Sequence, residues 1–234
     1  LQKMQEMRIR RLVCITDDPD GVLCDTMPMW ETEPVAISGS RLDNLRRLLA
    51  FNSEFQLGLG TEWVSQIDLD VVIRANIDHL FRDRGDFTIL TGTRSPETGR
   101  RVCGYNGSFW LCRAGARHHF AESYAPKRMG KILRDVKIDG RMIVGSDQAW
   151  LWHTSPGEDT FTDADGIAQY TSGRWQDASM VFFAGQRKPW DVDGEAPGLF
   201  EDWRRHVDSP VVAVKPRSKR KDATMGDSDS EVAS

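Results

Sequence analysis

The chain has 234 residues, 39% of them apolar and 28% charged, with a net charge of −4. That balance gives no electrostatic reason to expect a nucleic-acid partner, and four cysteines without a C-x-x-C pair argue against a zinc site and for a reducing compartment. No apolar run approaches the roughly 20 residues of a membrane span, and the polar opening stretch carries no signal segment, so the expectation is a soluble, cytoplasmic protein with at most peripheral membrane contact. The length suits one domain over residues 1–214, and the basic, then acidic and Ser-rich stretch 215–234 reads as a disordered tail.

In chain order, Arg8 to Thr16 predicts a first strand, because Leu12, Val13, Cys14 and Ile15 form the unbroken apolar run of a strand covered on both faces. It ends at Thr16-Asp17-Asp18-Pro19-Asp20-Gly21. Ligands in open α/β sheets gather at the carboxyl ends of strands, so this turn is a candidate nucleotide contact; a plain βα turn capped by Asp is the alternative. Pro28 and Pro34 break any regular pattern over 22–40. A helix is predicted from Ser40, with Leu42, Leu45, Leu48 and Leu49 on one face and Arg41, Arg46 and Arg47 on the other.

Trp63 to Ile73 is the most informative stretch. It reads as a buried strand ending at Asp68 and Asp70, with a β-branched trio after them. Alternate residues of an extended segment share a side, so the two carboxylates are placed to offer hard oxygen ligands to Mg²⁺ or Mn²⁺. The plainer reading is a capping pair at a strand end. Two further Asp-x-Asp pairs, Asp163/Asp165 and Asp191/Asp193, lack an apolar strand before them, and neither completes a calcium loop.

A short helix carrying Ile77, Leu80 and Phe81 follows, then a strand over Asp86 to Thr91. Asn106-Gly107-Ser108 reads as a polar turn between aromatics. Lys127 to Val136 is helical by spacing, and Arg141 to Val144 is a short strand meeting Gly145-Ser146-Asp147-Gln148 at the start of a Trp-rich helix. Residues 157–169 read as loop. Ser179 to Ala184 is a strand, followed by Gly185-Gln186-Arg187-Lys188-Pro189-Trp190, and Leu199 to Val207 is a last helix. Trp150, Trp152, Trp175 and Trp190 offer flat faces to sugar C–H groups, although each serves core packing as readily.

Five of these pieces, in this order, resemble a GT-A nucleotide-sugar glycosyltransferase of the glycogenin and bacterial galactosyltransferase group, with related small microbial and viral enzymes: Thr16-Asp17, Asp68-Leu69-Asp70, Asn106-Gly107-Ser108, Asp147-Gln148 and Gly185-x-x-Lys188-Pro189-Trp190. The resemblance covers about Arg8 to Val207 and implies an α/β fold with a mixed, mainly parallel sheet flanked by helices. It implies that Asp70 is the main ligand of a Mn²⁺ or Mg²⁺ ion, that Asp68 lies nearer the ribose, and that Thr16 and Asp17 contact the nucleotide. It further implies that Asn106 lines the sugar pocket, that Asp147 and Gln148 hold donor-sugar hydroxyls or the transition state, and that Lys188 neutralises the leaving diphosphate. The donor would be a UDP-sugar and the acceptor a carbohydrate or another hydroxyl-bearing molecule.

One departure stands out. The family carries a His as third metal ligand in the strand before the last glycine motif, where this chain has Phe182-Phe183-Ala184. Two other readings stay open. A haloacid-dehalogenase-type phosphatase would use Asp68 as nucleophile, Asp70 as general acid and Lys127 or Lys131 as its lysine. A degenerate protein would bind sugar nucleotides without turning them over.

Overall fold

The computed structural model describes residues 11–16, 18–22, 24–28, 42–92, 103–133, 137–138, 141–142, 147–183 and 188–207. Its strands are β1 (Val13–Thr16), β2 (Asp25–Pro28), β3 (Trp63–Ile67), β4 (Val71–Ile73), β5 (Phe87–Thr91), β6 (Tyr105–Arg113), β7 (Lys137–Ile138), β8 (Arg141–Met142), β9 (Asp159–Phe161), β10 (Ile167–Gln169) and β11 (Met180–Phe182). The α-helices are α1 (Ser53–Gly58), α2 (His119–Glu122), α3 (Pro126–Leu133), α4 (Asp147–Thr154) and α5 (Pro197–Val207), with 3-10 helices at Leu42–Phe51, Asp78–Phe81, Asp163–Asp165, Tyr170–Ser172 and Pro189–Asp191.

The architecture is the expected mixed α/β one, but its balance differs. Parallel pairing joins β1 to β2, β5 to β9 and β10 to β11. The central sheet, ordered β3-β6-β5-β9, is antiparallel along both edges of β6, and β4 runs antiparallel to β11 in a second sheet. The "mainly parallel" expectation therefore does not hold among the described residues. Its cause is β6, which is a nine-residue strand and not the polar turn expected around Asn106-Gly107-Ser108. All of β6 except Arg113 is buried, so the polar trio is carried inside the sheet by the aromatics on either side.

Three apolar clusters fill the interior. One packs the Leu42–Phe51 helix, α2, α3 and α4 against one face of the central sheet, with Phe51 stacked on Trp110 at a centroid distance of 4.5 Å. A second joins the two sheets through Phe109, Phe161, Met180 and Phe182. A third seats α5 under β4 and β11. Arg74, just after β4, donates to Asp202 of α5 at 2.8 Å and ties that helix down.

Two local expectations change. The first helix is 3-10 in geometry, so the buried stripe is Leu45, Leu48 and Phe51 at three-residue spacing, where a 3-10 helix eclipses its side chains. The supposed loop 157–169 holds β9 and β10, three-residue strands too short to show periodicity. The Asp163/Asp165 pair there is a capping device: the Thr162 amide donates to Asp165 at 2.8 Å, and Arg84 pairs with the same carboxylate. No described helix is long and apolar enough to cross a membrane.

α4 is held against β6 by a close approach at Gly104, where a Cβ would sit 2.1 Å from the Trp152 ring. Gly104→Ala is expected to lower the melting temperature by about 5–10 °C through overpacking, measured by thermal denaturation; an unchanged value would contradict the packing described.

Candidate active site

The acids that the sequence places on one strand lie on the turn that ends it. The chain leaves the central sheet after Ile67 and enters the second sheet at Val71, and the Val71 amide donates to the Asp68 carbonyl at 3.3 Å to close the turn. The Asp68 amide donates to the Ser108 carbonyl at 2.9 Å, fixing the turn to β6. Leu69, between the acids, is 88% exposed, so the turn faces solvent. The two carboxylates do not share a partner: Asp68 takes the guanidinium of Arg47, and Asp70 takes the ammonium of Lys188.

Arg47 gathers the rest. Besides Asp68, its Nη2 donates to the Gly107 carbonyl at 3.0 Å, and its Nη1 lies 3.5 Å from Asp147 Oδ2. The Gly107 carbonyl is available because the β5–β6 register shifts between Ile89 and Leu90. Ile89 faces Trp110 and Leu90 faces Asn106, which leaves residues 107–109 without partners on β5. Asn106 shapes the irregularity, its Oδ1 accepting from the Ser108 amide at 2.8 Å. Gln148 reaches across from α4, its Oε1 accepting from the Gly107 amide at 3.2 Å. Gln66 completes the ring: its Nε2 donates to Asp68 and to the Gly107 carbonyl, both at 3.3 Å, while its Oε1 accepts from Trp110 Nε1 at 2.9 Å.

Of the residues singled out in the sequence, Asp68, Asn106, Asp147 and Gln148 thus converge on one cluster, and Asp70 with Lys188 forms an ion pair on the adjoining turn. Thr16 is not joined to this cluster among the described residues; its hydroxyl bonds the backbone of Asp18. Asp17 lies outside the described residues, as do Gly145, Ser146 and Gly185. Arg47 and Gln66 were not foreseen. Nothing in the sequence separates Arg47 from Arg46 on the same polar face, and Gln66 reads as an ordinary outward strand position. Trp150, Trp152 and Trp175 serve packing, whereas Trp190 is half exposed two residues beyond Lys188.

Electrostatically, the cluster is under tension. Burial pushes the carboxyl of Asp147 above its ordinary range; the attraction of Arg47 opposes this, and the charge of Asp68 adds to it. Asp68 is raised for the same reasons, burial first, with Arg47, Ser108 and Gln66 pulling the other way and Asp70 repelling. Three acids and two cations leave the site one charge negative. As a donor set for a divalent cation, Asp68 and Asp70 supply two hard oxygen groups, which fits Mg²⁺ or Mn²⁺ completed by substrate phosphates and water. The third ligand implied by the resemblance is absent: Phe182 and Phe183 are buried, Phe183 stacked on Tyr170 at 4.7 Å. Among the described residues, no group of three His, Cys, Asp or Glu could hold a metal.

The phosphatase reading finds little here. Lys127 and Lys131 are exposed on α3, and the cation on Asp68 is Arg47.

No protein-family model matches the chain. No curated protein matches it. Among solved structures, it is similar to the galactosyltransferase LgtC in complex with donor and acceptor sugar analogues, at 15% identity and a TM-score of 0.44 over 73% of this chain and 69% of that one. An active-site mutant of LgtC gives 15% identity and 0.46 over 74% and 70%. The glycosyltransferase GlyE of Streptococcus pneumoniae gives 14% identity and 0.42 over 64% of this chain and 42% of that one, so the chain spans less than half of GlyE.

A carboxyl raised by folding binds its proton more tightly folded than unfolded, so its contribution is most favourable in acid and is lost as pH rises through the unfolded and then the folded value. Asp147→Asn removes that loss. The variant is expected to lose less stability than wild type as pH rises from acid to neutral, the difference between the two vanishing in acid, where Asp147 is protonated in both states. Paired thermal melts across pH check this; a variant that loses as much as wild type would contradict it.

Proposed function

We propose that the chain is a glycosyltransferase that moves a sugar from a nucleoside diphosphate donor, a UDP-sugar, to a hydroxyl-bearing acceptor. One observation carries the reading: Arg47 draws Asp68, Asp147 and the Gly107 carbonyl into one cluster, with the Asp70–Lys188 pair on the adjoining turn. Glycosyl transfer needs two kinds of group side by side. One set holds sugar hydroxyls at fixed positions, and the other receives the negative charge that develops on the diphosphate as the glycosidic bond breaks.

Asp147, Gln148 and Asn106 serve the first need. They project from the start of α4 and from the irregular part of β6; the Gly107 amide donates to the Gln148 side chain and the Ser108 amide to that of Asn106, and buried Trp150 anchors α4 in the core. Gly107 itself is constrained, since a Cβ there would come within 2.8 Å of Asp147 Oδ2. Lys188 serves the second need. Its ammonium sits at the turn that carries the acids, on a backbone held by Asp191, whose carboxylate accepts from the Lys188 amide at 3.0 Å. Asp68 and Asp70 would be the residues to hold a divalent cation, which would add charge neutralisation at the same diphosphate.

The test is a panel of UDP-, GDP- and other nucleotide-linked sugars, following release of free nucleoside diphosphate with simple sugars as acceptors. One donor is expected to be consumed, and Gln148→Ala and Lys188→Ala are each expected to slow its consumption about 100-fold. Binding without consumption would instead indicate a sugar-nucleotide-binding protein. Hydrolysis of phosphomonoesters, with every nucleotide sugar left intact, would replace the proposal with the phosphatase reading.

A further inference from the structure

We infer that Gln66 and Trp110 are positioning residues for glycosyl transfer: together they fix the spacing and angle between the Asp68 carboxylate and the Arg47 guanidinium. This rests on the nucleotide-sugar reading above and adds to it two residues that act through the groups of the site.

Gln66 and Trp110 are direct cross-strand partners, one on β3 and the other on β6. An indole N–H only donates, so the atom of Gln66 that meets Trp110 Nε1 at 2.9 Å is the carbonyl oxygen. That contact settles the orientation of the amide. Its Nε2 then faces two acceptors, Asp68 Oδ1 and the Gly107 carbonyl, both at 3.3 Å. Arg47 Nη2 bridges the same two oxygens. The Asp68 carboxylate is therefore held to β6 twice, once by a cation and once by a neutral amide aimed by a Trp that is only 2% exposed.

The same Trp also sets the cation. Phe51 stacks on Trp110 with the ring planes 26° apart, and it ends the helix Leu42–Phe51 that carries Arg47. A closed circuit results, running from Arg47 along its helix to Phe51, across to Trp110, and back through Gln66 and Asp68. Neither charged group can turn without disturbing a ring packed in the core. Satisfying a buried indole needs less than this: Trp150 of α4 does so with the Ser123 hydroxyl at 3.2 Å. A glutamine spends only its carbonyl on Trp110 and keeps its donors for the site. Such support governs rate where side chains must meet a reacting sugar, because a misplacement of about 1 Å costs up to about 100-fold.

Three variants separate this role from support of the fold, with donor consumption measured per folded molecule well below the melting temperature. Gln66→Met removes both ends of the amide. Trp110→Phe keeps an aromatic ring against Phe51 and removes the N–H. Each is expected to lower kcat about tenfold with KM changed about threefold or less, and the double variant to lose about tenfold instead of about 100-fold, because both break one link. Gln66→Glu keeps an acceptor for the indole but has no donor for Asp68. It is expected to leave the Trp110 indole proton hydrogen-bonded, as read by NMR, and still to lower kcat about tenfold. A glutamine that only satisfied Trp110 would be replaced by Glu without loss. That result, or single losses that multiply in the double variant, would overturn the proposal. If wild type consumes no donor, the nucleotide-sugar reading falls and the effect on rate with it. The positioning itself is then decided by the NMR resonances of the Arg47 guanidinium. They are expected to shift alike in Gln66→Met and Trp110→Phe, and unchanged resonances in both would overturn it.

Discussion

One guanidinium organises the candidate site of this molecule. Arg47 meets Asp68, Asp147 and the Gly107 carbonyl, which come from three separate parts of the chain, and without it two poorly solvated carboxylates would face each other with no counter-charge. Arginine suits the task because its planar fork offers several donors in fixed directions and stays charged at any working pH. The compensation is incomplete. Burial outweighs the attraction of Arg47 at both acids, and their carboxyls remain above the ordinary range. A fold selected for stability alone would not keep such a group, since replacing buried ions with apolar side chains is often neutral or favourable. The tension is the kind expected where binding chemistry has been placed at the expense of stability.

The scaffold accounts for how these groups meet. β6 runs through the middle of the central sheet and pairs with β3 on one side and β5 on the other, so whatever it carries is held on two edges. Its register irregularity turns a stretch of strand into a surface that presents backbone polar groups to side chains. The Trp-rich α4 packs on the same strand, with Trp152 over Gly104 and Trp150 bonded to Ser123, which sets Asp147 and Gln148 opposite Gly107. The crossing from β3 to β4 then delivers Asp68 and Asp70 at the junction of the two sheets. The aromatic residues that read as possible sugar platforms mostly serve this positioning, Trp190 being the exposed exception.

Much of this arrangement was legible in the sequence, and the gaps have physical causes. Asp68 and Asp70 stood out because an apolar strand led into them, and the other Asp-x-Asp pairs lacked that context; the Asp163/Asp165 pair indeed caps a turn. Asp147 and Gln148 stood out as polar residues opening an apolar helix. β6 was misread because Asn106-Gly107-Ser108 has turn chemistry, and tertiary burial overrode it. The first helix adopts three-residue spacing because its leucines fit that period nearly as well as the expected 3.6. Arg47 was invisible for a different reason. Its role depends on contacts 21 residues away to Asp68 and 60 residues away to Gly107, and no local pattern distinguishes it from the arginine beside it.

The central question is whether the Arg47 cluster and the Asp70–Lys188 pair bind a single ligand together. A crystal structure of the chain with UDP and Mn²⁺ tests this most directly. The expected result is a diphosphate in contact with the Lys188 ammonium, with the position of the donor sugar opening toward Asp147 and Gln148. A nucleotide bound elsewhere on the molecule, or bound with no contact to Lys188 or the Arg47 cluster, would contradict it.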